Sequence, residues 1–211
     1  MYKLSTLIYR NLANVVSILG VLPLVLLFRE GGYEYLLPLM IYSNVMDDLD
    51  GILAGKLDIR SKFGAQLDNV CDAIGHSLIV MVVGMHFGGA CLAASLLGVT
   101  AIVLRSVARL TPGLLNGGSP TNELIRHLLF TLILAASFGF NAAPYLIVAF
   151  VLNTVSMLLP LKMPWLIRSL TKSATTIGLV NVALFAAWFA PTTAPVIATA
   201  FFATYAYSLA T

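Results

Sequence analysis

Residues 64–110 read GAQLDNVCDAIGHSLIVMVVGMHFGGACLAASLLGVTAIVLRSVARL, and between Ala73 and Leu104 they contain no Asp, Glu, Lys or Arg. A helix needs about 20 predominantly apolar residues to cross the hydrocarbon core of a bilayer. The run is too long for one such helix and fits two, broken at Gly88–Gly89. A chain with such a run is to be read as membrane helices.

The rest of the sequence repeats the pattern. The breaks "REGGYE", "GKLDIRSK", "GG", "TPGLLNGGSPTN", "NAAP", "KMPWLIRSLTK" and "APTTAP" divide it into apolar segments over 11–28, 35–55, 64–87, 90–110, 122–140, 143–162, 174–190 and 193–209. The expected fold is an all-α, polytopic transmembrane helical bundle of about eight spans (six to eight), with residues 1–211 forming a single integral membrane domain. Composition agrees, since 59% of the 211 residues are hydrophobic and 10% charged, with a mean hydropathy of +0.93. An average soluble domain carries roughly 25% charged residues. Cys71 and Cys91 both lie in apolar segments and read as small packing residues, not as a disulfide framework.

The opening "MYKLSTLIYR" places Lys3 and Arg10 before an apolar run, as a secretory signal would. The run 11–28 exceeds an apolar signal core and lacks a small-residue cleavage site, so it reads as a retained first span. Residues 2–10 alternate apolar and basic side chains and suit a short interfacial helix.

Basic residues set the orientation, because Lys and Arg near span ends are retained on the cytoplasmic side. Lys3 and Arg10 precede span one, Lys56, Arg60 and Lys62 follow span two, Arg105, Arg109 and Arg126 bracket the loop after span four, and Lys162, Arg168 and Lys172 follow span six. The opposite loops hold only Arg29. Both termini are therefore expected to be cytoplasmic in a multi-pass inner-membrane protein, and the net charge of +3 is explained by topology, which leaves nucleic-acid binding little support.

Residues 47–72, DDLDGILAGKLDIRSKFGAQLDNVCD, concentrate six aspartates at the cytoplasmic end of spans two and three. Asp47 and Asp50 are three apart, and Asp68 and Asp72 four apart, so each pair lies on one face of its helix. Joined by a short loop, the two helices can bring four carboxylates together. Burying one ionised carboxylate already costs several kcal/mol, roughly, so a cation is required among them. Neither 46–54 nor 64–72 contains Lys or Arg, which favours divalent metal. All-oxygen ligation suits Mg²⁺, Mn²⁺ or Ca²⁺, and the lack of clustered Cys or His argues against zinc. Four carboxylates suffice for two metal ions about 3.5–4 Å apart. Gly51 and Gly64, with Ala54 and Gly55, keep the adjoining surface small enough for a diphosphate to approach.

These residues resemble the CDP-alcohol phosphotransferase (CDP-alcohol phosphatidyltransferase) family, whose motif is D-x-x-D-G-x-x-A-R, eight residues, then G-x-x-x-D-x-x-x-D. Asp47, Asp50, Gly51, Ala54, Gly64, Asp68 and Asp72 stand at the required spacing, and Gly55 stands where the family has arginine. The motif covers about an eighth of the chain. The resemblance implies transfer of a substituted phosphoryl group from a CDP-linked lipid such as CDP-diacylglycerol to a small alcohol, with release of CMP. It assigns Asp47, Asp50, Asp68 and Asp72 to two divalent cations and makes Asp72 the base for the acceptor hydroxyl. It also implies a homodimer among membrane lipids.

Weaker likenesses extend the set of candidates. "LANVVS" resembles the family's P-N-x-x-T/S segment and offers Asn14 and Ser17 to the cytidine. Ser61 sits where the family often has Ser or Thr near the nucleotide, with helix capping as the plainer role. The family's arginine neutralises nucleotide phosphates, and Lys56, Arg60 or Lys62 is expected to replace it. "FGAQLDNVCDAIG", "VLRSVARL" and "GGSP" are similar to phosphatidylserine synthases, which favours serine as acceptor over inositol phosphate, glycerol phosphate or choline.

Asp48 points about 100° from Asp47 on a helix and reads as an interfacial or supporting carboxylate. His76, one turn beyond Asp72, suits a contact to a carboxylate or to the acceptor, or polar packing. Asn122, Glu123, Arg126 and His127 form a polar face at the start of span five. Arg105, Arg109, Arg126 and Asn122 are candidates for the acceptor's anionic group, with positive-inside anchoring the plainer role for the arginines. Arg168 and Lys172 suit lipid-surface anchoring. A cation transporter is the alternative, since carboxylates within a membrane also mark ion pathways; the absence of a repeat and the position at a membrane face weigh against it.

Overall fold

The computed structural model describes residues 8–111, 117–160 and 173–211. Lys3, Lys162, Arg168 and Lys172, expected to set topology or anchor the chain, lie outside the described residues, as does most of the expected interfacial helix over 2–10. Residues 8–10 are helical, and after them eight α-helices and no strand occur among those described, each of the eight falling on one of the apolar segments. The chain divides into two compact units, Met1–Gly75 and His76–Thr211.

In the first unit, helix α1, Leu12–Val21, tightens into a 3₁₀ segment over Leu22–Phe28. Pro23 in the first turn of that segment is the local cause, because it has no N–H for an α-helical bond and its ring crowds the preceding turn. Gly31, at φ +71°, makes the reversal, and a second 3₁₀ turn, Gly32–Tyr35, leads into α2, Leu36–Lys56. The helices α1 and α2 lie side by side: Tyr42 Oη donates to Leu19 O at 3.0 Å, and Gly20 leaves room for Met46, whose Cβ would stand 3.0 Å from any Cβ added there. Val16, Leu24, Leu27, Leu36, Leu39, Met40 and Ile41 are buried.

The end of α2 directs the chain into the next helix. Leu57 is the C-cap of α2, Asp58 takes a left-handed conformation at φ +53°, and Ile59 N donates back to Ala54 O at 3.1 Å. This six-to-one bond is the Schellman pattern, and aspartate is one of the few non-glycine residues that tolerate the required φ. The chain reverses and starts α3, Lys62–Phe87, where Ser61 Oγ accepts from Gly64 N at 2.9 Å as an N-cap. At Gly75, α3 is in contact distance of Leu24 and Ser43.

The second unit contains the rest of α3, then α4 (Gly89–Leu110), α5 (Thr121–Phe138), α6 (Ala143–Leu158), α7 (Ala174–Phe189) and α8 (Ala194–Ala210). Gly88 and Gly89, both at positive φ, make the turn between α3 and α4. Gly84 and Ser95 then pack so closely that a Cβ on Gly84 would stand 2.0 Å from Ser95 Oγ. Small residues at helix contacts allow such approach. Helix α5 is central to this unit: twelve of its residues are buried, from Thr121 to Ala135. Outer helices turn Val148, Leu179, Val182 and Val196 outward, an arrangement costly in water and ordinary against lipid.

By length and composition, Lys62–Phe87, Gly89–Leu110 and Pro191–Ala210 can cross a membrane, and Leu12–Phe28, Ala143–Leu158 and Ala174–Phe189 are shorter apolar helices. The acidic motif on α2 lowers that helix's apolar character without shortening it.

Candidate functional site

Every aspartate of the motif belongs to the first unit. Asp47 and Asp50 project from α2 and Asp68 from α3, and one carboxylate oxygen from each lies within 4.8 Å of the other two. Asp72 is one turn further along α3 and outside this close group. Asp48 is also outside it and accepts from Asn44 Nδ2 at 3.3 Å on its own helix.

The Ser17 hydroxyl of α1 donates to Asp50 Oδ2. Asp50 is 5% exposed, so a third helix fixes the orientation of the innermost carboxylate. Nothing in the sequence signals this bond, because the two residues are 33 apart and no local rule pairs them.

A cavity of about 240 Å³ opens beside the carboxylates. Ala13, Asn14 and Ser17 line it from α1, Asp50, Gly51 and Ala54 from α2, Ile59, Arg60 and Ser61 from the loop, and Gly64, Ala65 and Asp68 from α3. Six residues expected near the nucleotide (Asn14, Ser17, Gly51, Ala54, Ser61 and Gly64) thus share one wall-lined space. Ala13, Ile59 and Ala65 join them without any signal in the sequence, since small or plain apolar side chains announce no chemistry. Gly64 is there for close approach: a Cβ would stand 2.9 Å from Asn14 Oδ1 and 3.0 Å from Ser61 Oγ. Asn14 in turn donates through Nδ2 to Asn11 Oδ1 at 2.9 Å. Gly55 and Lys56 are exposed at the end of α2 and are not among the lining residues.

Electrostatics explain what such a cluster requires. Two carboxylates about 5 Å apart repel by about 3–4 kcal/mol at an effective dielectric near 20, and here three meet. An anionic, all-oxygen set from two helices is the kind that hard divalent cations take. The residues present fit Mg²⁺ or Mn²⁺, with Ca²⁺ admitted by the same donor chemistry.

A family model described as CDP-alcohol phosphatidyltransferase matches residues 10–207. The chain belongs to this family. It is accordingly an integral membrane transferase of substituted phosphate groups, and its reaction class is phosphatidyl transfer from a CDP-alcohol. Membership in this enzyme family removes the ground for the cation-transporter alternative. Comparison with curated proteins found no match.

The residues expected to meet an acceptor belong to the second unit. His76 Nδ1 is 2.9 Å from Thr121 Oγ1, and Asn122 begins the same central helix. Arg126 pairs with Glu123 at 3.1 Å and lies 5.7 Å from the Phe201 ring centroid. Arg105 donates to Gly117 O, to Gly118 O at 3.1 Å and to Met157 O at 3.4 Å, holding the loop before α5. Arg109 is exposed. His127, buried beside these, contacts Asn153 Nδ2 through Nδ1 at 2.8 Å, and Ser156 links Ser119 and Tyr205 by hydroxyl contacts of 2.8 and 2.7 Å. For Asn153, Ser156 and Tyr205 the one available signal in the sequence is a polar side chain within an apolar span, which does not by itself mark a site.

Proposed function

We propose that the protein transfers the phosphatidyl group of CDP-diacylglycerol, or a similar CDP-linked lipid, to a small alcohol and releases CMP. The observation that carries this reading is the cavity that joins the aspartate cluster to Asn14, Gly51, Ala54, Ser61 and Gly64. Serine is the favoured acceptor, on the likeness of residues 63–75, 103–110 and 117–120 to phosphatidylserine synthases; inositol phosphate, glycerol phosphate and choline complete the set to be compared. The distribution of Lys and Arg supports a cytoplasmic-face site with both termini on that side. A homodimer in the lipid bilayer is proposed on family resemblance.

Asp47, Asp50, Asp68 and Asp72 would hold two divalent cations. When bound, such cations offset charge on the diphosphate and on the departing CMP. Ser17 keeps the Asp50 carboxylate in one orientation, and the small residues Gly51, Ala54 and Gly64 leave space for the nucleotide. Asp72 takes the proton of the acceptor hydroxyl, which requires the two to come within hydrogen-bond distance. The acceptor oxygen then bonds to the phosphorus nearest the lipid, the bond from that phosphorus to the bridging oxygen breaks, and CMP departs with the electron pair.

Nucleotide-dependent metal binding tests this reading. In nanodiscs, CDP should tighten Mn²⁺ binding at the aspartates, because a diphosphate adds oxygen ligands to the same ions. Mn²⁺ affinity indifferent to CDP would speak for a cation site unrelated to a nucleotide.

A further inference from the structure

The position where this chain departs from its family's motif is occupied in space by a different residue. Gly55 has no side chain, and the Arg60 guanidinium lies over it: a Cβ on Gly55 would stand 3.0 Å from Arg60 Nη2, 3.7 Å from its Cζ and 3.8 Å from its Nε. The approach arises at the end of α2. Asp58 in the left-handed region and the bond from Ile59 N to Ala54 O turn the chain back by one residue after the cap, which sends Arg60 over the last helical turn. Among the described residues lining the cavity, Arg60 is the one that is basic, and it shares that lining with Asp50 and Asp68.

We infer that Arg60 is the donor-binding cation of this enzyme, delivered from the loop onto Gly55 in place of an arginine carried by the helix. The inference rests on the proposed function, since it assumes that the cavity receives a CDP-linked diphosphate. A guanidinium suits this task because its planar fork donates two parallel hydrogen bonds to phosphate oxygens. It adds positive charge to a lining whose other ionisable residues, Asp50 and Asp68, are anionic and would repel a diphosphate. Gly55 is then part of the binding device, because a side chain there would press on the guanidinium. Lys56 and Lys62, the other basic residues of the segment, do not line the cavity.

Transposition of the arginine provides the test. CDP binding to the full-length protein in nanodiscs with Mn²⁺ would be compared for wild type, Arg60→Ala, Lys56→Ala, Lys62→Ala and the double variant Gly55→Arg/Arg60→Ala. Arg60→Ala should weaken CDP at least about tenfold, the effect of losing a charge-assisted contact. The double variant should recover most of that loss, which a merely misfolded loop would not allow. Normal CDP binding by Arg60→Ala, or a loss confined to Lys56→Ala or Lys62→Ala, would overturn the inference while leaving the reaction class intact. A wild-type protein that binds no CDP would overturn both.

Discussion

The Ser17 hydroxyl on α1 donates to the carboxylate of Asp50 on α2, tying that helix to the deepest member of the aspartate cluster. Groups that orient a metal-ligating carboxylate typically change metal affinity or activity by about 10–100-fold when removed. Ser17→Ala should therefore weaken Mn²⁺ binding by at least about tenfold, whereas Ser17→Thr, which keeps the hydroxyl, should stay near wild type. A Mn²⁺ titration followed by electron paramagnetic resonance distinguishes the two; equal affinities in wild type and Ser17→Ala would show that Asp50 needs no such support.

Gly64 is held between Asn14 and Ser61 at distances that leave no room for a methyl group. The Gly64→Ala substitution must displace Asn14, disturb the Ser61 cap of α3, or both. Loss of an N-cap costs about 1 kcal/mol, and overpacking adds about 1–3 kcal/mol. A lowered thermal midpoint together with weakened CDP binding is expected. A drop in stability alone would mean that Asn14 does not contribute to the nucleotide pocket.

The fold is largely legible in the sequence, and the reasons differ by region. Eight apolar runs separated by Gly, Pro and charge become eight helices, because those residues punctuate helices. The three-residue spacing of Asp47 and Asp50 places them on one face without knowledge of tertiary contacts. Residues 11–28 form one apolar segment, yet the α-helix ends at Val21 and continues as 3₁₀ because of Pro23. The Ser17–Asp50 bond and the placement of Arg60 on Gly55 depend on how α1 meets α2 and on the left-handed Asp58, neither of which a periodicity can reveal. In the second unit the polar face of Asn122, Glu123, Arg126 and His127 is visible in the sequence, but Asn153, Ser156 and Tyr205, which build the buried polar network around His127, lie on other helices.

Close packing of Gly84 against Ser95 gives a stability prediction independent of the site. A Cβ on Gly84 would stand 2.5 Å from Ser95 Cβ, which rotation of the Ser95 hydroxyl cannot relieve. Gly84→Ala should cost about 1–3 kcal/mol, read as earlier unfolding in a detergent denaturation series, and Ser95→Gly in the same chain should restore most of it. Failure of that rescue would place the cost elsewhere on α3.

Arg105 makes its contacts with three backbone carbonyls, at Gly117, Gly118 and Met157. Removing a charged donor from such a set costs about 1–3 kcal/mol. Arg105→Ala should lower stability and leave the KM for the acceptor within about twofold of wild type, a difference under 0.5 kcal/mol, roughly. A selective rise in acceptor KM with unchanged stability would instead assign Arg105 to acceptor binding.

Phosphatidyl transfer from a CDP-lipid is the central claim, and CMP release measures it directly. Purified protein in nanodiscs, given CDP-diacylglycerol, Mg²⁺ or Mn²⁺, and serine, inositol phosphate, glycerol phosphate or choline in turn, should release CMP with at least one acceptor and fastest with serine. Asp68→Asn and Asp72→Asn should remain folded and fall by at least about a hundredfold, the scale expected for loss of a metal ligand or a general base. Release of no CMP with any acceptor, or release undiminished in both aspartate variants, would contradict the account.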